Sequence, residues 1–484
     1  MVNISYYKKL LDTKALSCTE LTKAFLDSAE KENPSLNAYI SITKEEALKT
    51  AAEVDEKIAR GESLQPLEGI PVIIKDNICT KGIRTTCASK MLENYVPFYD
   101  ATVWEHIKAQ NSVLIGKGNM DEFAMGSTSE TSYFGIVKNP HNPEYVAGGS
   151  SGGVAAAVAG KLAAYGIGTD TGGSIRQPAS FCGIYGLKPT YGSVSRYGIV
   201  AYASSFDQAG VLASCAEDTA LVFDVISKYD ERDMRSVGFK KSTYESLSGS
   251  VKGLKIGIAT EDLMASDEFV NSAVENTINV FKSMGAEVEE IKIPFIKECL
   301  PVYYILACAE ASSNLGRFDG IRYGYHVEDY EDLNDMISRT RSEGFGDEVK
   351  RRIIFGTYVL SSGYFDAYYK KAQRLRESII KEIDKIFKSC DIVLAPTVPV
   401  APLKAGANIS PVDLYRTDIC TCAANIVGLP SISVPAGFTD DNMPVGIQLI
   451  GGRFKEDVIL NAAYAFEKET GGEYIKLSEM GCGV

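Results

Sequence analysis

The stretch Gly148–Gly192, GGSSGGVAAAVAGKLAAYGIGTDTGGSIRQPASFCGIYGLKPTYG, governs the reading of the whole chain. Its loop Gly148-Gly149-Ser150-Ser151-Gly152-Gly153 leads into Val154–Gly160, a helix of small residues, and a short strand then leads to a second loop at Ile167–Ser174. Ala and Gly leave little bulk along that helix, so it can lie close against a sheet and bring both loops to one place. Loop glycines let backbone N–H groups approach a ligand with no Cβ in the way. A run of such groups stabilises an anion, either bound or formed during reaction.

Outward from this stretch, β-rich runs alternate with helical patterns. Gly69–Ile74 and Ser112–Gly116 precede it, while Asp391–Pro396, Ile432–Pro435 and Gly446–Gly451 follow it as buried strands. The alternation predicts an α/β fold. The first 65 or so residues read as helices, with capping boxes at Ser17-Cys18-Thr19-Glu20 and Thr43-Lys44-Glu45-Glu46. Behind the second box, Leu48, Ala51, Ala52 and Ile58 recur at helical spacing before a stop at Gly61. A helical block spans about 302–389, and strands resume beyond it, so the sheet is completed from both sides of the block. With no repeat or linker to divide it, the chain reads as one discontinuous unit over 1–484, with N-terminal helices at about 1–65 and a core at about 66–230.

Composition narrows the function. The 484 residues carry 50 basic and 63 acidic side chains, a net charge of −13, which argues against a surface that grips phosphate backbones directly. No signal-peptide pattern opens the chain and no apolar run reaches 18 residues, so a soluble, cytoplasmic protein is expected. Eleven cysteines lie scattered through apolar stretches and read as buried thiols. Cys420-x-Cys422 has no histidine near it, so no metal site is expected.

The Gly/Ser loops fit several chemistries. Gly148-x-Ser150-x-Gly152 and Gly149-x-Ser151-x-Gly153 have the spacing of a hydrolase nucleophile elbow, yet only His326 lies downstream to act as base. A phosphate loop is unsupported, because no Gly-x-x-x-x-Gly-Lys-Ser/Thr occurs. Ser41-x-x-Lys44 and Ser378-x-x-Lys381 lie on charged helical patterns without companion motifs. A buried lysine can replace histidine as base, since desolvation favours its neutral form. Lys75 directly follows Val72-Ile73-Ile74 and is the candidate; the alternative is that it reaches solvent or pairs with Asp76.

The Gly148–Gly192 segment resembles the hallmark of the amidase signature family. The resemblance implies that family's fold, a mostly mixed β-sheet covered by helices on both faces. It also implies a Ser-cisSer-Lys triad, whose lysine falls on Lys75, whose bridging serine in a cis peptide falls on Ser150, and whose nucleophile falls on Ser174. Backbone N–H groups of Thr171, Gly172, Gly173 and Ser174 would then hold the oxyanion. LEGIPVIIKD (67–76), MDEFAMGSTSETSYFG (120–135), SSNLGRFDGIRYGY (312–325) and GTYVLSSGYFDAYYKK (356–371) resemble one branch, the A subunits of aspartyl/glutamyl-tRNA amidotransferases.

That branch implies hydrolysis of glutamine and delivery of ammonia to a B subunit, where ATP and Mg2+ are expected and misacylated tRNA is held, with a small C subunit completing a heterotrimer. Glutamine needs a cation for its α-carboxylate and an anion for its α-ammonium. By resemblance these fall on Arg352 and Asp418, with Tyr303 lining the pocket and Ser127, Thr128 and Ser129 as further contacts. Arg352 could instead belong to a solvated helix face in Lys350-Arg351-Arg352, and Asp418 could be a helix cap. Two other readings remain open: a free-standing amidase acting on other carboxamides, and a catalytically silent scaffold protein.

Overall fold

In a computed structural model, which describes residues 3–259, 267–478 and 480–482, the apolar runs become strands of one mixed sheet. In chain order these are β1 (Tyr39–Ile42), β2 (Pro71–Lys75), β3 (Val113–Gly118), β4 (Tyr165–Asp170), β5 (Tyr185–Lys188), β6 (Gln208–Ala213), β7 (Lys255–Ile258) and β8 (Glu287–Glu290), then β9 (Ile392–Pro396), β10 (Ser431–Phe438) and β11 (Pro444–Gly451). Among the described residues their order across the sheet is β1-β3-β2-β4-β6-β5-β10-β11-β9-β7-β8. β3, β2 and β4 run parallel, as do β9, β7 and β8, and an antiparallel centre joins the two sets. Strands β2, β3, β4, β9 and β11 are buried at every position. Successive side chains point to opposite faces, so both faces are covered.

The sequence dictates how the elements start and stop. Ser17 accepts from the N–H of Glu20, whose carboxylate returns to the Ser17 N–H at 2.9 Å, so the first capping box forms as expected. The second does not: the Thr43 hydroxyl donates to the Leu114 carbonyl on β3 at 2.7 Å and leaves the helix Lys44–Ala59 without a side-chain cap. A carbonyl on the neighbouring strand competes with the helix end and wins. That helix buries Ala47, Ala51 and Val54, while Ala52 faces solvent.

The small-residue helix spans Gly152–Ala159 and lies directly on the sheet. A Cβ at Gly118 on β3 would come within 2.9 Å of Val154 Cγ2, and one at Gly166 on β4 within 2.3 Å of Val154 Cγ1, so glycines in the strands make the hollow that Val154 fills. Beyond β8 the chain builds the helices Ile296–Asn314, Leu333–Gly344, Asp347–Leu360 and Lys370–Ile386, then re-enters the sheet at β9. These helices form a second apolar core around Tyr303, Leu306, Val349 and Ile379. No helix among the described residues is long and apolar enough to cross a membrane.

Candidate active site

β2 and β4 are parallel neighbours, so their carboxyl ends open at one edge of the sheet, where Lys75 ends one strand and Asp170 the other. Lys75 is fully buried; its Nζ donates to Ser150 Oγ at 2.7 Å and to the Thr169 carbonyl at 3.3 Å. Burial pushes its ammonium down to about 7, against the opposing pull of the Asp121, Asp170 and Asp207 carboxylates. Asp76 does not pair with it. That carboxylate accepts from the Thr86 N–H at 2.7 Å and lies 3.5 Å from Lys117. Ser150 follows a cis peptide bond from Gly149. The Ser151 N–H donates to the Ser174 carbonyl at 3.1 Å, which ties the two loops together, and Ser174 is 7% exposed.

Glycine is required where the loops crowd. A Cβ at Gly149 would sit 2.0 Å from Asp121 Oδ2 and 2.7 Å from the Thr128 nitrogen, and one at Gly172 would sit 2.5 Å from the Tyr303 ring. Asp121 therefore lies against the Ser150 loop, and its own N–H donates to the Ser150 carbonyl at 3.2 Å. The second loop is anchored by a fully buried ion pair. Burial would raise the Asp170 carboxyl, but Arg176 at 3.1 Å outweighs it and holds it down to about 2. Arg176 also reaches Asn425, Gln448 and the Thr421 carbonyl.

The anion-stabilising role expected of the loop falls unevenly on its residues. The Gly173 N–H already donates to Asp170 Oδ1 at 2.9 Å, so Gly173 is not an open donor, contrary to the expectation. The N–H groups of Thr171, Gly172 and Ser174 have no partner among the described residues, and the Thr171 hydroxyl is held by Asp207 at 2.7 Å.

Beside this loop lie two buried charged side chains, Arg352 from the helical block and Asp418 at the start of the helix Ile419–Val427. Asp418 accepts from Tyr304 at 2.7 Å and from Ser127 at 3.1 Å, both neutral donors, and no cation among the described residues lies within ion-pair distance. Burial lifts its carboxyl to about 6, with the Tyr304 hydrogen bond and the Arg352 charge holding it down. Arg352 is 4% exposed and sits among the rings of Tyr202, Tyr304 and Tyr415. It is therefore no solvated helix face. An apolar cavity of about 380 Å3 opens against Tyr304, Arg352 and Tyr415. Thr421, on the helix that starts after Asp418, donates to the Gly172 carbonyl at 2.5 Å and so joins the pocket to the loop.

The three hydroxyl residues of 127–129 separate in role. Ser127 is in the pocket. Ser129 is turned to scaffolding, since its hydroxyl accepts from the Gly152 N–H at 3.1 Å and its own N–H donates to Asp121. Thr128 presses its backbone on Gly149. His326 is exposed, and His141 is bonded to the Cys182 carbonyl at 2.9 Å. Cys420 and Cys422 are buried in the helix Ile419–Val427. Sequence reasoning missed Asp121, Tyr304, Glu348 and Tyr415; the signals were that Asp121 lies inside the quoted segment 120–135 and that the other three lie within four residues of Tyr303, Arg352 and Asp418.

A buried lysine with no ion-pair partner among the described residues, bonded to a serine in a Gly/Ser loop, is the feature by which this fold can be compared with known proteins. The chain matches the family described as Amidase over residues 20–460. It belongs to the amidase family. Among its relatives there are the A subunits of glutamyl-tRNA(Gln) amidotransferase from Carboxydothermus hydrogenoformans, 53% identical over 463 residues, and from Caldanaerobacter subterraneus subsp. tengcongensis, 52% identical over 464 residues; each alignment covers 95% of both chains. The crystal structure of the A subunit of glutamyl-tRNA(Gln) amidotransferase from Thermotoga maritima superposes with a TM-score of 0.82 at 38% identity, covering 99% of this chain and 98% of that one. A bacterial aryl acylamidase of the amidase signature family gives 0.86 at 25% identity, with coverage of 99% and 98%. Amidases with different substrates thus share this frame, and the pocket must decide between them.

Proposed function

We propose that this amidase is the glutamine-hydrolysing subunit of a tRNA-dependent amidotransferase. The observation that carries the reading is that a buried cation, Arg352, and a buried anion, Asp418, flank Tyr304 without pairing with each other, beside the loop that holds Gly172 and Ser174. An aryl or alkyl amide offers nothing to match them, whereas the α-carboxylate and α-ammonium of an amino acid do. A second reading, a free-standing amidase on other carboxamides, draws support from the aryl acylamidase likeness and from the apolar cavity beside Arg352.

The chemistry needs no histidine. Near neutral pH a large fraction of Lys75 is the free amine, which accepts the Ser150 proton as Ser150 takes the proton of Ser174. The Ser174 oxygen attacks the side-chain carboxamide carbon, and the N–H groups of Thr171, Gly172 and Ser174 receive the oxyanion. Collapse of this intermediate breaks the C–N bond; the leaving nitrogen takes the relayed proton and departs as ammonia. Water then attacks the acyl-enzyme by the same relay and releases glutamate, restoring Ser174. The ammonia would pass to a B subunit, which would hold the ATP and Mg2+ that supply activation of glutamate or aspartate misacylated on tRNA, in a cytoplasmic assembly completed by a C subunit. The acidic balance of this chain suits a subunit that leaves the tRNA to its partner.

The test is glutamine hydrolysis by this chain, alone and with B and C partners, ATP and misacylated tRNA. Ser174→Ala is expected to lose several orders of magnitude in kcat/KM, as for members of one catalytic unit. A chain that cleaves simple amides but leaves glutamine intact under every condition would be a free-standing amidase. A serine-reactive probe that fails to label Ser174 in the assembled complex would make it a silent scaffold.

A further inference from the structure

Arg352 is held on two edges and open on a third. Its Nε donates to Glu348 Oε1 at 2.8 Å and its Nη1 to the Tyr202 hydroxyl at 2.7 Å, while Nη2 has no partner among the described residues. Three tyrosine rings lie 5.3 to 5.5 Å from the guanidinium carbon and confine its plane. Glu348 is itself fixed: the same Oε1 accepts the Tyr415 hydroxyl at 2.7 Å, and its other oxygen is bonded to Arg351. The Tyr415 ring stacks on Tyr304 with centroids 4.2 Å apart, and the Tyr304 hydroxyl donates to Asp418. An unbroken run of contacts therefore joins Arg352 to Asp418 through Glu348, Tyr415 and Tyr304.

We propose that Glu348, braced by Tyr415, is a positioning residue that fixes the guanidinium of Arg352 relative to Asp418, so that the pocket selects amides carrying a carboxylate and an ammonium on one carbon. The proposal rests on the glutaminase reading of this pocket. A guanidinium has five N–H donors in a planar fork, so a carboxylate engaging Nε leaves the Nη2 edge for a second one. Glu348 neutralises a buried cation while the pocket is empty, which spares Arg352 an uncompensated charge. Its position four residues before Arg352 on the helix Asp347–Leu360 puts both side chains on one face, so the pair is set by the helix before any substrate arrives. Arg351, on the outer oxygen of Glu348, lessens the repulsion an incoming carboxylate would feel. Tyr415 belongs to a different element, the short helix Pro411–Arg416, and so ties the Arg352 helix to the segment that carries Asp418.

The experiment compares three amides on the assembled enzyme: L-glutamine, glutaramic acid, which lacks the amine, and 4-aminobutanamide, which lacks the α-carboxylate. KM is read for each, or the inhibition constant where turnover is too slow. Glu348→Ala is expected to raise the value for glutamine and glutaramic acid about tenfold or more while kcat on glutamine stays within about threefold, the pattern of lost ground-state binding. The value for 4-aminobutanamide, which does not use Arg352, is expected to stay put. Glu348→Gln keeps an acceptor for Nε and for Tyr415 and is expected to recover most of the loss, with Tyr415→Phe in between. Equal changes for all three amides, or a fall in kcat at constant KM, would overturn the proposal by reducing Glu348 to a packing residue. Should Glu348→Ala fail to fold, Tyr415→Phe keeps its ring stack and decides alone by the same selectivity. A wild type that ignores glutamine yet cleaves the other amides would instead overturn the glutaminase reading itself.

Discussion

Two lysines stand on neighbouring strands, Lys75 at the end of β2 and Lys117 near the end of β3, and both are completely buried. Lys75 registers with Gly118, so the adjacent Lys117 carries its side chain to the other face of the sheet. Burial lowers the pKa of both. Their partners differ. Lys117 Nζ donates to the Ile78 carbonyl at 2.7 Å and to the Thr85 and Thr80 hydroxyls at 2.9 and 3.0 Å, with the Asp76 carboxylate 3.5 Å away. All three of its protons have an acceptor and its charge has a counter-ion. Lys75 has one hydroxyl, one carbonyl and, among the described residues, no ion pair. Equal depth thus leaves a lysine with a counter-ion and a full set of acceptors on one face, and on the other a lysine with neither, the one proposed above as the proton acceptor.

The strongest attempt to break this contrast exchanges the losses. Lys75→Met is expected to remove turnover by ~10^3-fold or more while the fold holds, because an amine without a counter-ion is replaced by an apolar chain of similar size. Lys117→Met is expected to do the reverse. It strands Asp76, buried and unpaired, at a cost of about 3–5 kcal/mol, while turnover per folded molecule stays within about tenfold. Glutamine turnover and thermal denaturation of both variants check this; a folded Lys117→Met protein as inactive as Lys75→Met would end the distinction.

The next effect is on pH. Lys75 must be neutral to accept a proton, so kcat/KM is expected to fall tenfold per pH unit below about 7, where its ammonium forms. Asp121 stabilises that ammonium. Asp121→Asn keeps the side-chain size and removes the charge, so the acid limb is expected to move to lower pH. A limb that stays in place would mean the carboxylate acts only as scaffold for the Ser150 loop.

Much of this was legible in the sequence because it is local. A run of apolar residues ending in lysine makes β2, and paired glycines mark the loops that crowd Asp121 and Tyr303. The α/β alternation gave the strands before and after the helical block, and the likeness of Gly148–Gly192 to a family segment singled out Lys75, Ser150 and Ser174, of which the structure bonds Lys75 to Ser150. What stayed hidden depends on residues distant in the chain. Val113-Leu114-Ile115-Gly116-Lys117 looks as much like a buried strand ending in a base as the β2 segment does, and only Asp76, turned by Thr86, separates the two. Lys350, Arg351 and Arg352 are alike in sequence; the helical turn of about 100° per residue buries Arg352 and leaves Arg351 exposed. Gly173 was expected as an open donor because the loop's N–H groups look equivalent until Asp170 takes one of them.

The carboxylates repeat the lysine contrast and give its most sensitive probe. Asp170 and Asp418 are both buried, yet the first has Arg176 at 3.1 Å and is held down to about 2, while the second has only neutral donors close by and rises to about 6. An unpaired carboxylate in a pocket is expected to be completed by the ammonium of the substrate, and it can do this only while ionised. The KM for glutamine is therefore expected to climb as pH falls through about 6, whereas glutaramic acid, having no ammonium, should show no such limb. Tyr304 supplies a hydrogen bond that favours the ionised form, so Tyr304→Phe is expected to move the limb to higher pH and raise KM at neutral pH severalfold, with kcat little changed. This is a small effect beside the loss of Lys75, but its sign is specific. If Asp418 were a structural helix cap rather than the ammonium site, glutamine and glutaramic acid would respond to pH and to the Tyr304 substitution alike.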